Sequence, residues 1–170
     1  GKLNALRRAA LSQMDAQLPA VPARRAFGFV PPEKIKNSAD KPLLTVSIHK
    51  AEQLSETLVS LAPARVYVPI ELLPQLDLTP YLGRTQFFAV LPRIYRTQDE
   101  PILRALLEDG VKKGVTGVSI ANLGHLSLVR GLDITLHGDW ALNVYNSAAL
   151  AFWKKEGLAS ACLSFELRDA

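Results

Sequence analysis

The sequence predicts an α/β fold of about six parallel strands, preceded by a helix and a proline-rich basic linker. Two observations predict it. Short apolar runs rich in β-branched and aromatic residues recur along residues 43–170, as strands covered on both faces should. Segments with helical spacing or irregular composition separate them. Hydrophobic residues make up 48% and charged residues 21%, so the chain reads as globular rather than disordered. Its 170 residues suffice for one core but are short for two full domains.

Residues 2–18 carry Leu3, Leu6, Ala10, Met14 and Leu18 at spacings of three and four, one face of a docking helix that Pro19 ends. Residues 19–42 hold Pro19, Pro22, Pro31, Pro32 and Pro42 among Arg24, Arg25, Lys34, Lys36 and Lys41. Repeated prolines break helices and ladders alike, so this stretch is a linker or extended arm. From residue 43 the rhythm begins, and residues 43–170 form the folded domain. Strands are expected at 43–48, 65–68, 86–91, 117–120, 134–136 and 161–163. Helices are expected at 51–61, at 99–113 with Ile102, Leu106 and Val111 inward, at 123–130, and at 147–156 with Gly157 as C-cap. Residues 71–82 read as irregular, with a short helix near 72–76.

Two architectures fit this alternation, a (β/α) barrel and an open doubly wound sheet. No G-x-G-x-x-G follows the first strand and no G-x-x-x-x-G-K-[ST] occurs, which argues against dinucleotide and P-loop nucleotide sites. A full barrel needs eight strands and about 250 residues, so a barrel here is incomplete and exposes parallel edges. Those edges would be covered by the N-terminal arm, a second copy or the rest of a parent protein. The absence of an initiator Met and the stop shortly after a strand suggest a fragment of something larger.

One cysteine excludes a disulfide scaffold, and a set of thiolate metal ligands from this chain alone. Cys162 reads as a buried, inert thiol within an apolar strand. The three histidines, His49, His125 and His137, include no i, i+4 pair, so no metal site is expected. No apolar run approaches a membrane span, and no signal sequence opens the chain, so a cytoplasmic location without membrane contact is expected. Lys+Arg 20 against Asp+Glu 16 is a mild excess that permits RNA contact without requiring it.

In either architecture functional residues gather where strands end. Those positions hold His49, Glu71, Arg93, Asn122, His137 with Asp139, and Ser164 with Glu166. Loop polarity and capping explain such a rim as readily as chemistry does. The richest stretch runs from Leu136 to Ser147. His137 can act as general acid or base, with Asp139 orienting it and Glu166 nearby. Asn143 is a polar anchor or a loop brace, and Asn146 or Ser147 is an N-cap. Arg93, Asn122, His49, Asn143 and Asn146 are the candidate substrate-binding residues. Asn122-Leu123-Gly124 opens a helix whose amides can meet an anion, or else makes a tight turn.

Several runs together carry a family resemblance. They are Gly117-Val118-Ser119-Ile120-Ala121-Asn122-Leu123-Gly124, then Leu136-His137-Gly138-Asp139-Trp140-Ala141-Leu142-Asn143-Val144-Tyr145-Asn146-Ser147, Gly157-Leu158 and Leu163-Ser164-Phe165-Glu166-Leu167. They resemble the collagenase-like peptidases of family U thirty-two. The opening Leu3-Asn4-Ala5-Leu6-Arg7-Arg8 is similar to a segment of long members, just before their later barrel-like portion. The middle of the chain matches by pattern only. A proline usually stands where Phe165 stands.

The resemblance implies a partial (β/α) barrel of TIM type from the C-terminal half of a long cytoplasmic bacterial protein. The family is labelled proteolytic with no known catalytic type, so the first expectation is a peptidase fragment inactive in isolation. Some relatives take part in hydroxylating pyrimidines in ribosomal or transfer RNA. The alternative is therefore an RNA-facing module, with Arg7, Arg8, Arg24, Arg25, Lys34 and Lys36 on phosphates. Other relatives act in hydroxylation of a quinone precursor and hold a cysteine-ligated iron–sulfur cluster. The acidic, glycine and cysteine signature of the family is not in this sequence, so no cofactor is expected here and a cluster would belong to the full-length parent. The expected partners are the parent's remaining domains, a second copy at an open barrel edge, and RNA.

Overall fold

Six strands join in one sheet, every neighbouring pair parallel, in the order of the sequence itself. This is a computed structural model that describes residues 1–18, 28, 30–31 and 41–167. The strands are β1 (Thr45–Ser47), β2 (Arg65–Pro69), β3 (Gln86–Val90), β4 (Val115–Ile120), β5 (Thr135–Gly138) and β6 (Leu158–Ala161). A doubly wound sheet reverses its strand order at a switch point. Here the order never reverses, and the sheet curls into a half-barrel. The partial-barrel expectation holds. Register shifts between Phe87 and Phe88 and between Leu136 and His137 add stagger to the curl.

The chain divides into two units, Gly1–Pro31 and Pro32–Ala170. In the first, α1 spans Lys2–Gln17 and ends where Leu18 turns extended, as a residue before proline prefers. None of its side chains is buried, including Arg7, Arg8 and the apolar series from Leu3 to Met14. Arg24, Arg25, Lys34 and Lys36 lie outside the described residues, as does most of the expected linker.

In the second unit the helices are α2 (Glu56–Ser60), α3 (Glu100–Lys112), α4 (His125–Val129) and α5 (Ser147–Lys155). The expected helix at 51–61 divides into a single 3-10 turn, Ala51–Gln53, and α2. Ser55 forces the division by accepting a hydrogen bond from the Leu58 amide and so starting α2 afresh. Residues 70–82 hold two 3-10 turns, Ile70–Gln75 and Thr79–Tyr81, in place of a full crossover helix.

Side chains of one strand parity pack beneath these elements. Val66, Val68, Phe87, Ala89, Val118 and Ile120 are fully buried there with Ile70, Leu73, Leu78 and Leu107. The inward stripe of α3 corrects the expected one. Leu103, Leu107 and Gly110 are buried, Leu106 and Val111 are half-buried, and Ile102 is 66% exposed. Gly110 explains the phase, because a Cβ there would lie 2.9 Å from Leu73 Cδ1. The helix turns its one gap toward the Ile70–Gln75 turn.

The last strand is also corrected, from 161–163 to Leu158–Ala161. Gly157 takes φ +97° directly after α5 and turns the chain at once into the sheet. Leu163 then forms only an isolated bridge with Val144.

The opposite parity holds Tyr67, Phe88 and Gly117 in adjacent register on β2, β3 and β4. The Phe88 ring occupies the space a side chain at Gly117 would need. Gly117→Ala is expected to destabilise the fold by about 1–3 kcal/mol through overpacking. Urea denaturation checks this, and an unchanged midpoint would refute the packing account.

Candidate functional site

Strand alternation sends Arg65, Tyr67, Phe88, Ser119, His137 and Ser160 to the face away from the buried apolar layer. On that concave face three side chains form a hydrogen-bonded chain. Arg65 Nη1 donates to Ser160 Oγ at 2.9 Å. Ser160 Oγ stands 2.9 Å from His137 Nδ1. The guanidinium can only donate, which leaves the hydroxyl its own proton and a second lone pair for Nδ1, so this contact holds in either ring tautomer. The other ring nitrogen, Nε2, lies 4.0 Å from Cys162 Sγ.

Aromatic contacts frame the chain. The Arg65 guanidinium carbon lies 4.6 Å from the centre of the Phe88 ring. Tyr67 packs against Phe88 at 5.4 Å and against His137 at 5.2 Å, centre to centre. Burial lowers the His137 pKa, the Arg65 charge lowers it further, and Asp139 opposes them. The ring is therefore a neutral imidazole at pH 7, able to accept a proton.

Asp139 does not hold the ring. Its carboxylate accepts from the Trp140 amide at 2.7 Å and caps the 3-10 turn Trp140–Leu142. Asn143 closes that turn in the left-handed conformation, φ 48°, which Asn tolerates better than most residues. Asn146 caps α5 by accepting from the Ala149 amide at 2.9 Å. Glu166 is exposed beyond β6, where its amide donates to Ser164 Oγ at 3.4 Å. His49 is exposed at the end of β1, its amide bonded to Gln53 Oε1. No hydrogen bond joins these five to His137 among the described residues.

Arg93 and Asn122 meet elsewhere on the rim. Asn122 Nδ2 donates to the Arg93 carbonyl at 3.3 Å and lies 3.2 Å from His125 Nε2. The Arg93 guanidinium carbon lies 4.4 Å from the Trp140 ring centre, and the Trp140 and Phe165 rings pack at 5.6 Å, tilted 43° to each other. Beneath them His125 is fully buried, and its Nδ1 accepts from the Ala121 amide at 3.0 Å. Burial lowers its pKa, opposed by a hydrogen bond to the Pro92 backbone.

Cys162 needs correction. It follows β6 instead of lying within an apolar strand, and the residue is exposed. Packing around the sulfur still raises the thiol pKa, Asp139 raises it further, and a hydrogen bond to the Trp140 backbone opposes both. That keeps it a thiol at neutral pH. Among the described residues no three His, Cys, Asp or Glu side chains converge, and one cysteine cannot supply an iron–sulfur ligand set. These residues do not fit such a cluster. Two cavities, about 260 Å³ beside Leu126, Ile134 and Leu136 and about 380 Å³ beside Val46, Ile48 and Leu58, do not include Arg65, His137 or Ser160. Among the described residues no helix is long and apolar enough to cross a membrane.

No family model matches the chain, and neither a curated protein nor a solved structure matches it.

Sequence reasoning missed Arg65, Tyr67, Phe88 and Ser160. The signal for the first three was parity, since each alternates with a residue of the buried layer. Ser160 was hidden by the misplaced last strand.

Both lowered histidines bind protons more weakly folded than unfolded. Their contribution to stability is present above the unfolded value of about 6.5 and is lost as pH falls through the folded value. Thermal melts are expected to show stability falling between pH 7.5 and 5.5. His125→Gln is expected to flatten that slope, and an unaltered slope in the variant contradicts the assignment.

Proposed function

We propose that this chain forms one wall of the barrel of a protein of the collagenase-like peptidase family, cytoplasmic and bacterial in origin. His137 is its proton-transfer group and Ser160 its reacting or positioning hydroxyl. The observation that carries this reading is the 2.9 Å contact between Ser160 Oγ and His137 Nδ1. A hydroxyl bonded to a neutral imidazole is the pairing that acyl transfer from a peptide uses. The chain supplies no third group to orient the base among its described residues, so the fragment alone is expected to be inactive. In this reading the parent's other domains complete the barrel and cover the edges at β1 and β6.

In the full-length protein, Ser160→Ala and His137→Ala are each expected to lower peptide hydrolysis by at least about 100-fold, the scale of lost base catalysis. Peptidase assays on matched, folded variants check this. Wild-type rates in both variants would remove the pair from the chemistry.

A second reading, a module of a pyrimidine-hydroxylating RNA-modification protein, is favoured by the Arg93–Trp140–Phe165 cluster. A cation and two exposed rings make a platform on which bases stack. In this reading Arg7, Arg8, Arg24, Arg25, Lys34 and Lys36 add phosphate contacts; Arg7 and Arg8 are exposed on α1, and the other four lie outside the described residues. Nucleoside mass spectrometry of RNA from cells with and without the parent gene tests it. Loss of a hydroxylated pyrimidine, reproduced by Trp140→Ala, supports this reading. Unchanged RNA ends it.

A further inference from the structure

We infer that Arg65 on the concave face is an anchor for a carboxylate-bearing ligand. The inference goes beyond the peptidase reading and does not depend on it, since it concerns binding to the free protein.

Arg65 is half-buried, and one of its N–H groups is committed to Ser160 Oγ. One face of its guanidinium lies on Phe88. Among the described residues no Asp or Glu pairs with it, the three ion pairs there using Arg84, Arg104 and Lys113. Its contacts are thus a ring face and a neutral hydroxyl. A cation drawn out of water costs free energy unless an anion meets it. A guanidinium keeps its remaining donors in a rigid fork that matches the two oxygens of a carboxylate, and the match is bidentate and planar.

The surroundings are arranged to read that anion. Ser160 stands between the guanidinium and His137, so a charge placed on Arg65 is felt at the ring. The groups that act on His137 are Arg65, Ser160, Tyr67, Asp139 and Cys162. Only Asp139 among them is a carboxylate, and its Oδ1 already caps the Trp140 amide.

The test is a nuclear magnetic resonance titration of the 170-residue chain, following the Arg65 Nε–H and the His137 ring signals. The probes are acetate, its neutral analogue acetamide, and inorganic phosphate, each against sodium chloride at matched ionic strength. Acetate is expected to give saturable shifts at both residues and to raise the His137 titration midpoint, because it offsets the field of Arg65. Acetamide is expected to give none, and phosphate a weaker response. Arg65→Gln is expected to abolish the shifts. Arg65→Lys, which keeps the charge and loses the fork, is expected to weaken acetate about tenfold. It carries the comparison if Arg65→Gln fails to fold. Absence of a saturable acetate shift, an equal response to acetamide, or full binding by Arg65→Lys overturns the inference. A phosphate response stronger than that of acetate overturns the choice of carboxylate.

Discussion

The hydrogen bond from Arg65 to Ser160 joins β2 to β6 across the curl of the sheet. In a flat sheet, four steps of about 4.8 Å would set their backbones about 19 Å apart, beyond the combined reach of the two side chains. The bond therefore exists only because the sheet curls. That curl follows from parallel strands laid down in sequence order, each adding twist in the same sense, with stagger at Phe87/Phe88 and Leu136/His137. One strand, β4, puts a glycine at the centre of the hollow, where the ring of Phe88 lies. The rest of the concave face depends on this arrangement. Without the curl His137 has no Ser160 placed together with Arg65, and Arg65 has no polar acceptor across the sheet.

The two faces of the sheet answer different demands. Facing the helical layer, Val66, Val68, Phe87, Ala89, Val118 and Ile120 exclude water and supply the driving force of folding. A closed barrel usually fills its other face with branched apolar layers. Here that face carries, beside the buried ring of Phe88, an arginine, a histidine, two serines and a tyrosine, whose polar groups need partners. Such groups persist on a scaffold when each has a bond to make, and the Arg65–Ser160–His137 chain gives each of its members one.

The alternation of strands and helices was legible because apolar periodicity is local. So was the arrest of α1 before Pro19 and of α5 before Gly157. The phase of α3 was not, because it depends on Leu73 meeting Gly110, 37 positions further along the chain. Of the site, His137 was visible as a polar residue beside a strand end. Arg65 and Ser160 were not, since nothing within a few residues of either announces a partner 95 positions away.

The strand-end residues explain why the rest of the expected site dispersed. Asp139, Asn143 and Asn146 share their chemistry with catalytic and binding groups, but the same chemistry satisfies free amides and left-handed turns at the ends of helices. Each of the three does that work here. Capping is dictated by immediate neighbours, so polar residues at strand ends carry a strong local signal whatever else they do. A polar residue inside a strand has no such local use. On a curled sheet it must find its partner on another strand, as Arg65 finds Ser160 and Ser160 finds His137. Polarity that keeps strand parity and points away from the apolar layer has no such local explanation, and here it gathers the hydrogen-bonded Arg65, Ser160 and His137 on the concave face instead of at the rim.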